Sequence, residues 1–487
     1  MSSSVSSLSD STSSNLDTLV QQYTQSISEP VYQMQAEQTT VNTTITYYQD
    51  LKTKLSNFQS QLNNFTMAGS LSPLAAKTGT SSNTSVVTAT AQSTAVPGNH
   101  TILVTQLAKN DTLVSSELNQ SGTDISTATG AGTFKISIGA GSSPTSVSVN
   151  VSAGDTNSTV LSNIASAVNA ANVGVTASVI NDTSSTARLV FTSNQSGSAS
   201  AITVSDSTGN LAAAAGWTGS VISGRTTSTS TQAGYVTGSS SSLDANFTLD
   251  GIPIVRGSNS VSDVLAGVTL SLTGIQQSTD NPVNLSVGSD TSSVQTSIQN
   301  LINSYNTVIT TLNQDITTNA TTQVRGPLAG DVSFMNLQNS LQSMIMGQVS
   351  STKSGNPNML SEIGITLNSD GTLSISDQAE LTDALTTNPN AVTDLFNSSN
   401  GVAVQLNTLV SSFSNAGGIM DQKISGAQDQ VNAMNDQINS MQASINIQAD
   451  AMRAQFTSYL NLLAQLTQTQ NTMNSIWTQM YSSSSSG

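Results

Sequence analysis

The hydrophobic pattern of the chain changes period twice. From Met420 to Met480, apolar residues recur at alternating steps of four and three: Met420, Ile424, Ala427, Val431, Met434, Ile438, Met441, Ile445, Met452, Tyr459, Leu462, Leu466, Met473, Ile476 and Met480. Only Gln448, Gln455 and Thr469 break the grid, no proline interrupts it, and Gly426 is its one glycine. A strict seven-residue repeat gives an α-helix one narrow seam that needs a partner helix. At about 1.5 Å per residue this helix would be roughly 90 Å long, so a second helix of the chain or other copies must cover it. Ile424, Val431, Ile438, Ile445, Met452, Tyr459, Leu462 and Leu466 are therefore the expected subunit-interface positions.

A second helical pattern lies at the other end. Leu16, Leu19, Val20, Tyr23, Ile27, Val31 and Met34 share one face, and Val41, Ile45, Tyr48, Leu51, Leu55, Phe58, Leu62 and Phe65 continue it, with Pro30 as a kink or restart. Near Gly69 the period switches to alternation. Val86–Thr90 and Thr101–Val104 predict strands joined by a turn at Pro97-Gly98-Asn99. Phe134–Ile138 and Val147–Val151 alternate, a short helix follows on Val160, Leu161, Ile164 and Val168, and three strands are predicted at 173–180, 188–192 and 202–205. The Ser/Thr/Gly stretch 220–242 predicts a linker or long surface loop. Phe247–Leu249 turns at Asp250-Gly251 into Ile252–Val255, and further strands at 268–272 and 283–287 are candidates to pair with those at 86–104. Helical spacing returns at Val294, Ile298, Leu301, Tyr305, Val308 and Leu312. Asp331 is placed to cap a helix, and Asp370-Gly371 to turn a hairpin.

The expected architecture is α+β and multidomain: long coiled-coil-like terminal helices form a stem, with β-rich domains inserted between them. In residues, 1–72 is an N-terminal stem segment, 73–120 and 243–288 make an inner β-rich domain, 121–242 an outer inserted α+β domain, 289–418 a helical stem body, and 419–487 the long heptad helix.

Composition narrows the function. Only 8% of the 487 residues are charged, against roughly 25% in an average soluble protein. Acidic residues outnumber basic ones 28 to 12, and the net charge of −16 repels phosphate backbones and anionic membranes alike. There is no cysteine; the Ser-rich residues 1–12 lack the basic and apolar regions of a cleavable signal, and no run approaches the ~20 apolar residues of a membrane span. Nucleic-acid binding and membrane insertion are not expected. The single histidine, His100, sits in a predicted turn with no second histidine or cysteine to join it, and no nucleophile-elbow, dinucleotide or phosphate-loop motif is present. Around Asp370-Gly371 a faint calcium-loop likeness puts Thr366 at the first ligand position, and hairpin chemistry explains the pair better. No catalytic, cofactor-binding or metal residue is assigned, and no cofactor is expected.

Several stretches, in order, resemble the flagellar filament cap protein family, also called flagellar hook-associated protein 2. They are Leu16-Asp17-Thr18-Leu19-Val20 before Glu29-Pro30-Val31, with Asn15 where the family usually has glycine; Gly326-Pro-Leu-Ala-Gly-Asp331; Ile363-Gly-Ile-Thr366; Asp370-Gly-Thr-Leu-Ser374; Ala391-Val-Thr-Asp-Leu-Phe396; and Arg453-Ala-Gln-Phe456. The middle block, from Ala165–Asn169 through Arg188–Thr192 to Ile202–Ser205, is similar to an insertion motif of flagellins and hook-associated proteins. The resemblance implies export through the flagellar type III apparatus with an export chaperone. It also implies a homo-oligomeric, pentamer-like ring at the distal, extracellular tip of the flagellum, under which flagellin folds and inserts. A flagellin, a hook–filament junction protein and a surface adhesin are the alternatives, and an enzyme is the remote one.

Overall fold

The computed structural model describes residues 18–67, 69–141, 144–318 and 325–483. Asn15, Leu16, Asp17 and the Ser-rich stretch 1–12 lie outside them. The chain forms two compact units. One comprises the described residues up to Met67, Ser297–Ala384 and those from Asn390 onward; the other comprises the described residues of Ala68–Thr296, with Leu385–Pro389.

The first unit is helical. A helix over 18–27 ends at Ser28, and a second runs from Glu29 to Thr66 with Pro30 in its first turn, where a missing N–H costs nothing. The C-terminal helix, Ile419–Ser483, has 65 residues without a break. The two ends run antiparallel. Gln38 donates to Asn435 at 2.6 Å, Lys52 pairs with Asp421, and Gln59 reaches Asn415 at 2.9 Å. Below this clasp the N-terminal helix buries Leu51, Leu55, Phe58, Leu62 and Phe65. Phe58 meets Tyr305 edge-on at 5.9 Å, Phe65 meets Phe396 at 5.4 Å, and Tyr48 meets Phe334 at 5.7 Å. The expected cap is present: Asp331 accepts the Ser333 amide at 2.9 Å and opens the helix Val332–Met346. The hairpin Ile365–Leu367/Leu373–Ile375 is also present. Asp370 spends its carboxylate on the Thr372 amide at 3.0 Å, as a turn requires.

In the second unit, eight antiparallel strands form one sheet in the order Ile252–Arg256, Ala245–Leu249, Gly98–Gln106, Val283–Ser289, Lys77–Ser81, Val87–Ala91, Val268–Leu272 and Ser260–Leu265. The two edge strands are consecutive in sequence, joined by residues 257–259. Flat, such edges would stand about 34 Å apart at ~4.8 Å per strand, whereas a link this short spans at most about 14 Å. The sheet therefore curls until its edges meet, and Arg256 Nε binds Asp263 Oδ2 across the seam at 3.0 Å. Inside lie Val87, Ile102, Val104, Phe247, Leu270 and Leu285. Asp250 and Gly251 both take left-handed φ values, 51° and 80°, as a two-residue hairpin loop between Leu249 and Ile252 demands. The expected pairing of late strands with the 86–104 region holds. The expected hairpin across Pro97–Asn99 does not: two strands, 283–289 and 77–81, lie between its arms. Turn chemistry reports a change of direction, not which strand comes to lie alongside.

The chain leaves this sheet after Gln106 and re-enters at Ala245, on adjacent strands. Between them the helix Asn157–Ala171 packs on strands Val175–Ile180, Thr186–Ser196 and Thr145–Val151 around a separate core that includes Ile136, Val160, Ile164, Phe191 and Trp217. Between Leu107 and Phe134 the chain forms the strand Asn110–Val114 and a helix at Asp124–Thr129. One expectation is corrected here. The stretch 220–242 is no free linker: Tyr235 is 1% exposed, pairs with Leu113 in the sheet and donates its hydroxyl to Ile202 O at 2.7 Å. Arg225 holds the stretch in place through a two-pronged bond to the buried Asp111, at 3.0 and 2.8 Å, with its guanidinium 3.9 Å from the centre of the Tyr235 ring. Arg188 adds bonds to the carbonyls of Ser115, Thr229 and Gln232.

Candidate assembly surface

The heptad helix has two regimes. In its lower half Val431, Ile438 and Ile445 are buried. Ile438 and Ile445 pack with Val31, Ile27 and Met34 of the N-terminal arm and with Met441. Ile424 and Met452 are half-buried. Beyond the Arg453–Phe456 turn the seam is open: Tyr459 is 66% exposed, Leu462 52% and Leu466 58%. The eight expected interface positions thus divide, and the deep ones at 431, 438 and 445 are covered by the chain's own helix. A heptad repeat specifies a partner helix, not whether that helix belongs to the same chain.

The breaks in the repeat have uses of their own. Gln448 accepts a hydrogen bond from Tyr23 at 3.3 Å near the top of the clasp. Leu463, off the simple grid, is 55% exposed beside Leu462 and widens the open stripe. The i, i+3, i+4, i+7 set 459, 462, 463, 466 recurs fourteen residues later at 473, 476, 477, 480, all exposed. Arg453 pairs with Asp450 at 3.0 Å, and after Arg453 the sequence carries no charged residue at all. This surface offers apolar area and neutral hydrogen-bonding groups, with nothing to polarise or protonate a substrate.

His100 is accounted for by the hairpin. Its Nδ1 lies 2.8 Å from Asp250 Oδ2, and the other oxygen of Asp250 takes the Thr101 amide at 2.7 Å. These bonds, that to His100 first, hold the Asp250 carboxyl below the usual carboxylate range. The pair fixes a turn. Among the described residues no cluster of three metal-ligating side chains occurs, and no helix is long and apolar enough to cross a membrane.

Two family models match the chain: "Flagellar hook-associated protein 2 N-terminus" over residues 12–111 and "Flagellar hook-associated protein 2 C-terminus" over residues 242–469. The chain belongs to the flagellar hook-associated protein 2 family. The two matches flank the inserted block, as the adjacent exit and entry strands allow. The flagellar hook-associated protein 2 of Escherichia coli K12 is 28% identical over 493 residues, 99% of each chain. The A-type flagellar hook-associated protein 2 of Pseudomonas aeruginosa is 29% identical over 314 residues, 62% of this chain and 63% of that one. In three dimensions the chain is similar to the crystal structure of the flagellar cap protein FliD D1-D2-D3 domains from E. coli. The TM-score is 0.59 at 29% identity, covering 78% of this chain and 99% of that one. Flagellar hook-associated protein 2 is thus a family of structural flagellar cap proteins, and the expected combination of long terminal helices and β-rich domains is what this member has.

Proposed function

We propose that this protein caps the distal, extracellular end of a flagellar filament as a homo-oligomeric ring, pentamer-like by family resemblance. There it promotes the folding and polymerisation of exported flagellin and prevents its leakage. It reaches that place through the flagellar type III export apparatus with an export chaperone. The observation that carries the reading is the divided seam. The lower half locks the two chain ends into one stem, while the half beyond Phe456 presents a stripe of large apolar side chains to its surroundings. An exposed stripe of this kind marks an assembly surface. Such work needs shape and a docking face rather than reactive groups, which suits a chain whose one histidine is taken up by a turn.

The test is a deletion strain complemented with the full chain or with a chain ending at Arg453. Loss of the gene should shorten filaments and release monomeric flagellin into the medium, and only the full chain should reverse this. Normal filaments without the gene would refute the reading.

A further inference from the structure

We propose that the strand Thr145–Val151 is a meeting edge for a second copy of this chain, whose own Thr145–Val151 pairs with it antiparallel about a two-fold axis at Ser148. The proposal stands apart from the cap reading, because a two-fold contact joins copies in pairs and does not by itself close a ring of five.

The strand lies at one end of a three-stranded sheet, in the order Ile202–Thr208, Gly132–Ala140, Thr145–Val151. In an antiparallel ladder successive residues turn their N–H and C=O alternately to one neighbour and to the other. Gly141 N–H donates to Ala201 O at 3.0 Å, and Lys135 N–H donates to the Thr208 hydroxyl at 3.0 Å. Odd-numbered residues of the middle strand thus serve the Ile202 side, and even-numbered ones the Thr145 side. Ile136 stands opposite Val147 and Phe134 opposite Val149, so the backbones of these valines turn inward. Those of Ser146, Ser148 and Asn150 turn out of the sheet. Asn163 agrees with this parity, donating to Asn150 O at 3.2 Å from outside. Among the described residues nothing bonds the outward N–H and C=O of Ser146 and Ser148.

Two comparable edges of the same block are tied off. On Val175–Ile180, the Asn169 amide donates to Ala177 O and accepts the Ala177 N–H, each at 2.8 Å. At the far side of the three-stranded sheet, Ile202 N–H goes to Asp111 at 2.8 Å and Ile202 O to the Tyr235 hydroxyl at 2.7 Å. Exposed edges are ordinarily blunted by lysine, proline or a bulge. Thr145–Val151 contains no lysine or proline, and its register with Gly132–Ala140 is unbroken. An edge left open beside edges that are closed is a surface for another strand.

The sequence of the strand favours its own copy as the occupant. Thr-Ser-Val-Ser-Val-Asn-Val reads nearly the same in both directions about Ser148. Paired with itself, it sets Ser148 against Ser148, Ser146 against Asn150 and Val147 against Val149. The outward N–H and C=O groups then satisfy one another. The buried valines of both copies fall on one face and the exposed serines on the other, so each face continues unchanged across the axis. The strand carries no charge, so two copies of a chain with net charge −16 meet here without like charges opposed.

The test uses the full-length chain, which has no native cysteine. In Ser148→Cys the two thiols face each other across the axis, with Cα atoms about 5.5 Å apart, inside the range that a disulfide accepts. Ser205→Cys, exposed on the same face of the far strand, is the control. Five strand spacings of about 4.8 Å would hold it about 24 Å from its copy. Under mild oxidation Ser148→Cys should become mostly disulfide-linked dimer, while Ser205→Cys stays at the collisional background. Ser148→Pro removes only an outward N–H, which an edge strand tolerates. By light scattering it should have half the wild-type mass at equal concentration, with the emission of Trp217 unchanged in a Trp477→Phe background. Cross-linking of Ser148→Cys no greater than that of Ser205→Cys would overturn the proposal. So would an unchanged mass for a folded Ser148→Pro variant; if that variant unfolds, the cysteine pair decides alone. The cap reading is judged separately, by the deletion strain.

Discussion

Arg225→Ala would remove one partner of an ion pair whose other member, Asp111, is fully buried. Asp111 also accepts the amides of Thr112 and Ile202, at 3.0 and 2.8 Å, so its negative charge would stay in place without its counterion. Breaking a buried pair from one side costs about 3–5 kcal/mol. The guanidinium over Tyr235 contributes about 1–2 kcal/mol in such a desolvated site, and the two terms share atoms and do not simply add. We expect a loss of about 4 kcal/mol in the inserted block, equivalent to a fall of very roughly 10–20 °C in its midpoint. Trp217 reports it: the indole is 2% exposed, stacks at 4.7 Å from Phe191, and belongs to the same core. Urea unfolding followed by tryptophan emission, in a Trp477→Phe background, gives the difference directly. The variant should also become cleavable within 226–236 by a broad-specificity protease under native conditions. Asp111→Asn/Arg225→Met, which removes both charges, should recover part of the loss. If Arg225→Ala shifts stability by less than about 1 kcal/mol and leaves the segment protected, the pair does not hold it and the reasoning fails.

Two further substitutions probe the helical unit. Ile438→Asp places a charge at a position 6% exposed against the N-terminal arm; lost burial alone costs about 2–5 kcal/mol. Helical circular dichroism should melt earlier while Trp217 emission keeps its midpoint, and a concerted shift of both signals would contradict independent cores. Asp315 is 7% exposed, its Oδ2 has no hydrogen-bond partner among the described residues, and burial, aided by Asp50 and opposed by Lys54, raises its carboxyl above the usual value. The folded state then holds the proton to higher pH than the unfolded one, so stability falls as pH rises from the ordinary carboxylate value to the raised one. Asp315→Asn should therefore have the higher urea midpoint near neutrality, with the gap closing below the ordinary carboxylate range; equal midpoints at neutral pH would count against it.

How much of this was legible in the sequence depended on how local each determinant was. The terminal helices showed because apolar spacing at 420–480 and 41–65 is a property of each segment alone. Asp250-Gly251 and Asp370-Gly371 announced hairpins because two left-handed residues suffice to make one. The course of 220–242 stayed hidden, since a Ser/Thr/Gly composition describes a loop. What anchors it is two arginines: Arg225 of the stretch reaches the carboxylate of Asp111 on a distant strand, and Arg188, about thirty residues upstream, binds the stretch's own Thr229 and Gln232 carbonyls. The same holds for the sheet, where 87–91 passes over the strand that follows it, 98–106, and pairs with 268–272. The heptad positions were legible as a repeat, but that Ile438 and Ile445 pack on Val31 of the same chain is a tertiary fact that no repeat encodes.

The nesting of the chain also fixes an order in time. Lys52 waits for Asp421, 369 residues later, whereas Leu113 meets Phe191 and Asn246 closes on Gln106 over far shorter stretches. A polypeptide that emerges N-terminus first can complete the inserted block while the second half of the surrounding sheet is still missing. It can close that sheet once Ser289 has emerged, and it can assemble its stem only when the last hundred residues are free. Contacts of such long separation form late because loop closure must precede them. The segment that leaves first is thus the one that folds last, and throughout the interval its apolar face, Val31 through Phe65, stays open to whatever helix it meets.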